Sequence, residues 1–223
     1  LEETAMSDEL TYYLAFNNGL SVSRAKSGKM TDARFFFEGR TLEHLTGCLE
    51  TPEVVFAAVA FDGGYRTEDG GRSWQKIIDG DVRTFTVDPH DEQIVYAGSG
   101  PICLRRSEDN GRTWVEINSL LELPDAVQEQ WSVPAMFEGQ VPPHVRHIFI
   151  HPNDQNLMYV ALEHGGIVVS RDCGTTWEDA SRGIDYLDMH MLFNMPGDKE
   201  CYFVSSARGV LSNGQRWAGL APC

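Results

Sequence analysis

The chain has 223 residues, of which 42% are hydrophobic and 23% charged, so it can bury a sizeable core. Its 33 acidic residues outnumber the 18 basic ones, and the formal net charge of -15 excludes general binding to nucleic acid or to an anionic membrane surface. The five cysteines show no Cys-x-x-Cys spacing, which favours reduced thiols. Because the first residues do not resemble a signal peptide, we expect a cytoplasmic protein, and secretion stays open if the N-terminus is processed.

Short runs rich in Val, Ile, Tyr, Phe and Thr alternate with turn residues along the chain, which is typical of short β-strands. An eight-residue box with the pattern [Ser/Thr]-x-Asp-x-Gly-x-[Ser/Thr]-Trp occurs at 67–74, 107–114 and 170–177, and an apolar run starts 13 residues before each copy. The copies are 40 and then 63 residues apart, because 23 extra residues separate the last two. Decayed copies lie at 24–30 and 211–217.

Each repeat consists of four predicted strands, and four-stranded units of about 40 residues are typical of a β-propeller. We therefore predict an all-β fold in which residues 1–223 form a single propeller domain with about five visible blades, the first of which lacks its inner strand. The predicted blades are 10–37, 41–78, 81–118, 145–181 and 186–220, and the insertion loop is 119–144. Two arrangements stay open: a fragment of a six- to eight-bladed ring, or a closed five-bladed ring.

The box resembles the Asp-box, or BNR repeat, of sialidase-like propellers, which sortilin-type receptors, photosystem II assembly-factor-like proteins and some glycoside hydrolases also carry. The resemblance covers residues 10–217, and the chain looks like proteins named BNR-repeat glycosyl hydrolases. It implies that the boxes form structural hairpins at the blade periphery, between the third and fourth strands. Their aspartates would accept turn hydrogen bonds, their glycines would permit the turn and their tryptophans would pack between blades. These residues are Asp69, Gly71, Trp74, Asp109, Gly111, Trp114, Asp172, Gly174 and Trp177.

The first strand of each propeller blade lines the central channel, so equivalent positions of the repeat form a ring. Arg83 and Arg146 share one such position, and its counterparts are Glu43 and His190. Strand alternation places Arg83 on the same face as Phe85, so we expect a half-buried arginine that needs a partner. Two interpretations stay open: the arginines pair with a carboxylate such as Glu43, or they form an anion or carboxylate site at the channel mouth.

Further candidates lie close to this ring in the sequence. Asp188 could pair with one of the arginines, and with His190 it forms either an acid–base pair or an ordinary polar strand end. We expect no cofactor and no metal site, because strand alternation places His147 on the opposite face from His144.

The insertion joins the outer strand of one blade to the inner strand of the next, so it should lie over the same face of the propeller. Its candidate residues are Trp131, Glu129 and Glu138. An aromatic ring beside carboxylates forms either a platform for a sugar or part of a lid over an apolar channel, and both interpretations stay open.

We predict a non-catalytic binding or scaffold propeller with a ligand or partner site at the channel mouth. The alternative is a sialidase-like glycoside hydrolase acting on a carbohydrate. The resemblance implies that a sialidase needs three arginines and a Tyr–Glu pair, and no such pair can be placed here. Other Asp-box hydrolases use two carboxylates, for which Asp185 or Asp188 with Glu129 or Glu138 would qualify. The expected partner is a carbohydrate, a small anion or a protein, with no nucleic acid and no membrane.

Overall fold

The computed structural model describes residues 9–132, 142–195 and 202–212. Within these ranges the chain folds into five antiparallel sheets of consecutive strands, which we call blades 1 to 5. The predicted all-β fold is confirmed, and the described sheets do not close into a ring. The end of the predicted fifth blade, from residue 213, lies outside the described residues.

The strands follow the chain from blade to blade. Blade 1 holds β1 (Glu9–Phe16), β2 (Gly19–Lys26) and β3 (Lys29–Phe36). Blade 2 holds β4 (Leu42–Gly47), β5 (Val55–Val59), β6 (Gly63–Thr67) and β7 (Gln75–Asp79). Blade 3 holds β8 (Asp81–Asp88), β9 (Asp91–Gly100), β10 (Cys103–Ser107) and β11 (Val115–Glu116). Blade 4 holds β12 (His144–Ile150), β13 (Met158–Glu163), β14 (Gly166–Ser170) and β15 (Glu178–Asp179). Blade 5 holds β16 (Met189–Asn194), β17 (Tyr202–Ser206) and β18 (Gly209–Ser212).

Adjacent blades pack through two repeated contacts, in which the first strand of a blade lies against both the first and the second strand of the blade before it. β5 lies against β8, β9 against β12 and β13 against β16. β1 lies against β4 in the same way, and the decayed box at 24–30 joins β2 to β3. The three strands of blade 1 are therefore its second to fourth, and within the described residues this blade has no innermost strand.

Large apolar side chains fill the interfaces between blades. Phe85 of blade 3 is fully buried beside Phe56 of blade 2, with ring centroids 5.4 Å apart. Burying one such ring contributes roughly 1.5–3 kcal/mol of transfer free energy. The close approach depends on glycine: a Cβ added at Gly64 would lie 2.4 Å from Phe85 Cζ, and one at Gly98 would lie 2.3 Å from Val145 Cγ1.

A β-bulge interrupts each of the four innermost strands, β4, β8, β12 and β16, near its start. The residues skipped in the pairing with the second strand are Glu43, Arg83, Arg146 and His190. A bulge residue has no partner across the ladder, and side-chain alternation restarts after it. The expected shared face of Arg83 and Phe85 is therefore wrong, because Phe85 shares its face with Val82 instead.

The three boxes are hairpin turns with a shared hydrogen-bond pattern. In the first box, Asp69 Oδ1 accepts hydrogen bonds from the backbone N–H groups of Arg72 and Ser73 at 2.8 and 2.9 Å. Gly71, with a φ of +76°, donates its N–H to Thr67 Oγ1 at 3.0 Å. Burial raises the pKa of Asp69, but the hydrogen bonds from Ser73, Thr67 and Arg72 outweigh it and lower the pKa to about 2.

The second and third boxes repeat this turn. Asp109 and Asp172 each accept a backbone N–H at 2.8 Å, from Thr113 and Thr176. The ring centroid of Trp74 lies 5.7 Å from that of Phe37, and the ring centroid of Trp114 lies 5.8 Å from that of Phe85. Trp177, the tryptophan of the third box, is buried. The turns thus use these carboxylates internally, and the rings pack into the blades.

The insertion begins as packed structure. A 3₁₀ helix (Asn118–Glu122) and the short helix α1 (Asp125–Gln128) precede Trp131, and Leu120 and Leu123 are buried in the core between blades 3 and 4. Residues 133–141, which include Glu138, lie outside the described residues. Among the described residues, no helix has the length and apolar character that crossing a membrane requires.

Candidate functional site

The start of each innermost strand and the turn after each second strand lie at the same end of the blades, because these strands pair antiparallel. We call this end the channel mouth. Its charged and titratable residues include Glu43, Asp81, Arg83, His144, Arg146, Glu163, His164, Asp188 and His190.

Glu43 links three blades through one carboxylate. Its Oε1 lies 2.9 Å from Arg83 Nη1 and its Oε2 lies 2.5 Å from Arg146 Nη1. Asp81 also holds Arg83, with its two oxygens 2.8 Å from Nε and Nη2. Because the Arg83 side chain is 5% exposed, these two carboxylates supply the charge partners that a buried guanidinium requires. Both arginines therefore contact Glu43, as in the first of the two interpretations above.

Glu163, at the end of β13, is the second centre of the mouth. Its Oε2 lies 3.2 Å from His144 Nε2 and 3.4 Å from Arg146 Nε. Burial raises the pKa of Glu163, but His144, Arg146 and His190 outweigh it and lower the pKa to about 2. Glu163 is therefore ionised at neutral pH. Asp188 and His190 are also brought together, with Oδ1 3.2 Å from Nε2.

Negative charge exceeds positive charge among the groups around Glu43 and Glu163. The carboxylates there are Glu43, Asp81, Glu163 and Asp188, and the guanidinium groups are those of Arg83 and Arg146. Without the histidines, these groups carry two more negative than positive charges. An anionic ligand would meet arginines that already have carboxylate partners, whereas a cation would meet an excess of acceptors.

Two histidines, His44 and His147, follow the bulges of β4 and β12, and their ring centroids are 6.4 Å apart. Nδ1 of each accepts a hydrogen bond at 3.4 Å from the next blade, from the backbone N–H of Phe85 and of Leu192 respectively. Burial lowers the pKa of both, and the nearby charge of Arg146 lowers it further; the pKa of His147 falls to about 4. Both rings are thus neutral acceptors at neutral pH. The sequence gives no signal that these histidines meet, because they lie in different blades.

Phe61 is a mouth residue that the sequence analysis missed. It lies in the turn between β5 and β6 and is 67% exposed. The guanidinium carbon of Arg83 is 4.5 Å from its ring centroid, and its N–H donates to Asp81 Oδ1 at 2.9 Å. The only signal in the sequence is an aromatic residue in a turn, and the other repeats do not share it.

The candidate residues of the insertion are less clearly part of the mouth. Trp131 is partly buried in the core between blades 3 and 4, where a Cβ added at Gly165 would lie 3.1 Å from its Cδ1. Glu129 is exposed. Both stay predictions as ligand-binding residues, as does Glu138, which lies outside the described residues.

Side chains of metal-ligating types meet where blades 4 and 5 adjoin. Glu163, His164 and Asp188 each place one ligand atom within 4.8 Å of the others. These three residues come from a strand end, the turn after it and the approach to the next blade, so no local spacing in the sequence predicts the cluster.

Comparisons with known proteins support the fold. No protein-family profile matches the chain, and no curated protein matches it. Among solved structures, the chain is similar to a GH74 enzyme of Niastella koreensis, with a TM-score of 0.61 and 13% identity over 89% of this chain and 32% of that one. It is similar to the extracellular domain of a putative one-component system of B. thetaiotaomicron, with a TM-score of 0.61 and 13% identity over 91% and 26%. It is also similar to the WD40 propeller domain of Doa1, with a TM-score of 0.58 and 11% identity over 94% and 62%.

These likenesses establish a β-propeller fold. Because unrelated activities share propellers, identities of 11–13% carry no function across. The chain spans less than two thirds of the length of each of these structures. Membership of the Asp-box family stays a prediction.

Proposed function

We propose that the chain is a non-catalytic binding or scaffold propeller whose ligand or partner contacts the channel mouth. The observation that carries this proposal is the engagement of both mouth arginines by carboxylates of the same chain. A sialidase-like enzyme would need free arginines for its substrate, and here an acidic sugar would have to displace Glu43 from Arg83 and Arg146. The mouth is better suited to hold three blades together and to present a fixed pattern of charge.

A glycoside hydrolase with two catalytic carboxylates is the second candidate, and the ionisation of Glu163 argues against that residue as its acid. Such an enzyme needs a carboxylic acid that keeps its proton near neutral pH, which requires a raised pKa. The pKa of Glu163 shifts the other way, to about 2, because the contacts with His144 and Arg146 outweigh the effect of burial.

Among the partner classes, a basic protein segment suits this surface best. The net charge of -15 attracts basic partners and repels anions over the range of the Debye length. At the mouth itself, one face of the exposed Phe61 ring contacts the Arg83 guanidinium, and the ring offers a cation-binding face to an incoming lysine or arginine.

Calorimetric titration with a short arginine- and lysine-rich peptide tests the proposal. We expect saturable binding that weakens as salt is added. Phe61→Ala should weaken it about two- to fivefold, which is the range for an exposed cation–π contact. The matched control is Leu49→Ala, which removes an exposed apolar side chain from the opposite end of the blades and should leave binding unchanged.

Two outcomes would contradict the proposal. Absence of peptide binding, or equal losses in Phe61→Ala and Leu49→Ala, would remove the mouth as the binding surface. A parallel screen on chromogenic glycosides addresses catalysis: turnover by the wild-type chain that disappears in Glu163→Gln would show that the protein is an enzyme.

A further inference from the structure

His144 directs a nitrogen without a hydrogen-bond partner into the mouth. The residue is 1% exposed, and its Nδ1 lies 3.0 Å from the carbonyl oxygen of Pro142. A carbonyl can only accept, so Nδ1 carries a proton, and Nε2 holds either a second proton or a lone pair that can bind a metal. Nε2 lies 3.2 Å from Glu163 Oε2 and makes no well-directed hydrogen bond to the described part of the chain. A ring nitrogen and a carboxylate oxygen this close in a buried site share a cation, which is either a proton or a metal ion.

Two more potential ligands complete the cluster. His164 and Asp188 each bring one ligand atom within 4.8 Å of Glu163. Asp188 Oδ1 is buried, lies 3.2 Å from His190 Nε2 and, within the described ranges, has no hydrogen-bond partner. Bonds of about 2.1 Å in a tetrahedral zinc site separate the ligand atoms by about 3.4 Å. The observed 3.2 Å between His144 and Glu163 is close to that separation.

We propose that Glu163, His164 and Asp188 bind one divalent transition-metal ion where blades 4 and 5 adjoin. His144, which faces Glu163 but lies outside this three-residue group in the structure, would become the fourth ligand as the ion draws the side chains together. Two imidazoles with two carboxylates form a donor set suited to zinc and its first-row neighbours, whereas calcium and magnesium prefer oxygen ligands alone. The bond from His144 Nδ1 to a carbonyl is the usual outer contact that fixes the tautomer of a metal-binding histidine. His190 is a positioning residue that orients Asp188.

The charge around the cluster supports a cation. Glu163 and Asp188 bring two carboxylates, and the guanidinium beside them is that of Arg146, which Glu43 also holds. Arg146 Nε, 3.4 Å from Glu163 Oε2, competes for that oxygen, and the ion must either displace this arginine or use the other carboxylate oxygen. Metal binding does not depend on the basic partner proposed above, because the metal alone can be titrated.

Calorimetric titration of the full, EDTA-treated chain with ZnCl₂ is the direct test. We expect one equivalent to bind, and Co²⁺ in the same site should give visible absorption. Asp188→Asn should weaken Zn²⁺ binding at least about tenfold, and so should His164→Asn, which replaces a half-buried residue of the turn after β13. The matched control is His90→Asn, which removes a histidine from the turn between β8 and β9 at the other end of the blades and should leave the affinity unchanged.

Absence of saturable Zn²⁺ binding to the wild-type chain would overturn the proposal. Binding that persists unchanged in both ligand variants would also overturn it and would assign the metal to another group, such as the exposed thiol of Cys173. Nitrogen-15 NMR distinguishes a metal from a proton at His144. Zn²⁺ should shift the Nε2 resonance. If Nε2 is protonated without metal and remains protonated in the presence of Zn²⁺, the cation between His144 and Glu163 is a proton, and His144 is not a metal ligand.

Discussion

His147 can accept the backbone N–H of Leu192 only while its Nδ1 is unprotonated. Burial, followed by the influence of His44 and Arg146, holds its pKa at about 4. In the unfolded chain an imidazole titrates near 6.5, so the unfolded state takes up a proton first as the pH falls. The stability that neutral His147 contributes is therefore complete above about pH 6.5 and is lost as the pH falls towards 4.

We expect the free energy of unfolding to decrease between about pH 6.5 and about pH 4, with His147 contributing up to roughly 3 kcal/mol at about 1.4 kcal/mol per pKa unit. Urea unfolding at a series of pH values measures this slope. His147→Gln should flatten it, and His90→Gln, the control, should retain it. A slope that is unchanged in His147→Gln would assign the dependence to other groups.

A second loss of stability should follow below about pH 4. Asp69 and Glu163 both have a folded pKa lowered to about 2, so their contributions are present above the unfolded pKa values near 4 and are lost as they take up protons. For both groups burial acts against the shift, and hydrogen bonds and neighbouring charges outweigh it.

The second strands carry small residues where the next blade crosses them. Opposite the residue after the bulge stand Ala58 in β5, Gly98 in β9 and Ala161 in β13. Gly98 leaves the least space for a side chain among the glycines of β9, because an added Cβ would lie 2.3 Å from Val145 Cγ1. Gly47, at the end of β4, would meet its nearest neighbour at 3.6 Å. Alanine thus fits at this position in the interface between blades 2 and 3 and in the interface between blades 4 and 5. The interface between blades 3 and 4 requires glycine.

Gly98→Ala should destabilise the protein by about 1–3 kcal/mol, because Val145 or the strand has to move to admit the methyl group. Gly47→Ala, at a site with ordinary spacing, should stay within about 0.5 kcal/mol of the wild type. Chemical denaturation compares the two variants. Equal effects would mean that the blade 3–4 interface yields more easily than its spacing implies.

The strands and box turns could be predicted because their contacts are local. The carboxylate of Asp69, for example, bonds to residues within four positions, and the same spacing returns in each copy. The repeat alignment also placed Glu43 and Arg83 in one ring. It could not reveal the bulge, which depends on pairing with a second strand, nor the contact of Phe61 with Arg83 or of His144 with Glu163, because those positions differ between blades.

Within the described residues, blades 1 and 5 each carry an exposed apolar face. On blade 1, alternate residues of β1 are 45–56% exposed: Leu10, Tyr12, Leu14 and Phe16. On blade 5, Met191 and Phe193 are exposed, and the ring of Phe193 stacks on that of Phe203 at 5.5 Å. In the other blades the corresponding face packs against a neighbour. Contiguous apolar faces on the surface of a protein mark places where it associates.

We expect this 223-residue chain to self-associate as its concentration rises, despite the repulsion that a net charge of -15 causes. The double variant Tyr12→Lys/Leu14→Lys should reduce association, and Val115→Lys, at an exposed apolar residue on the outer strand of blade 3, should not. Sedimentation velocity over a range of concentrations tests this. A monomer at every concentration would mean that the two end faces cover each other within one chain.

The four bulges give the protein a means of diversification. A residue without a cross-strand partner is released from the demands of the ladder, and at this position the blades carry glutamate, two arginines and a histidine. Under the proposed function, recognition would change with substitutions at these positions, and Arg83 and Glu43 would have to change together because each holds the other. A combinatorial library limited to the bulge positions would test how far the surface at the channel mouth can vary.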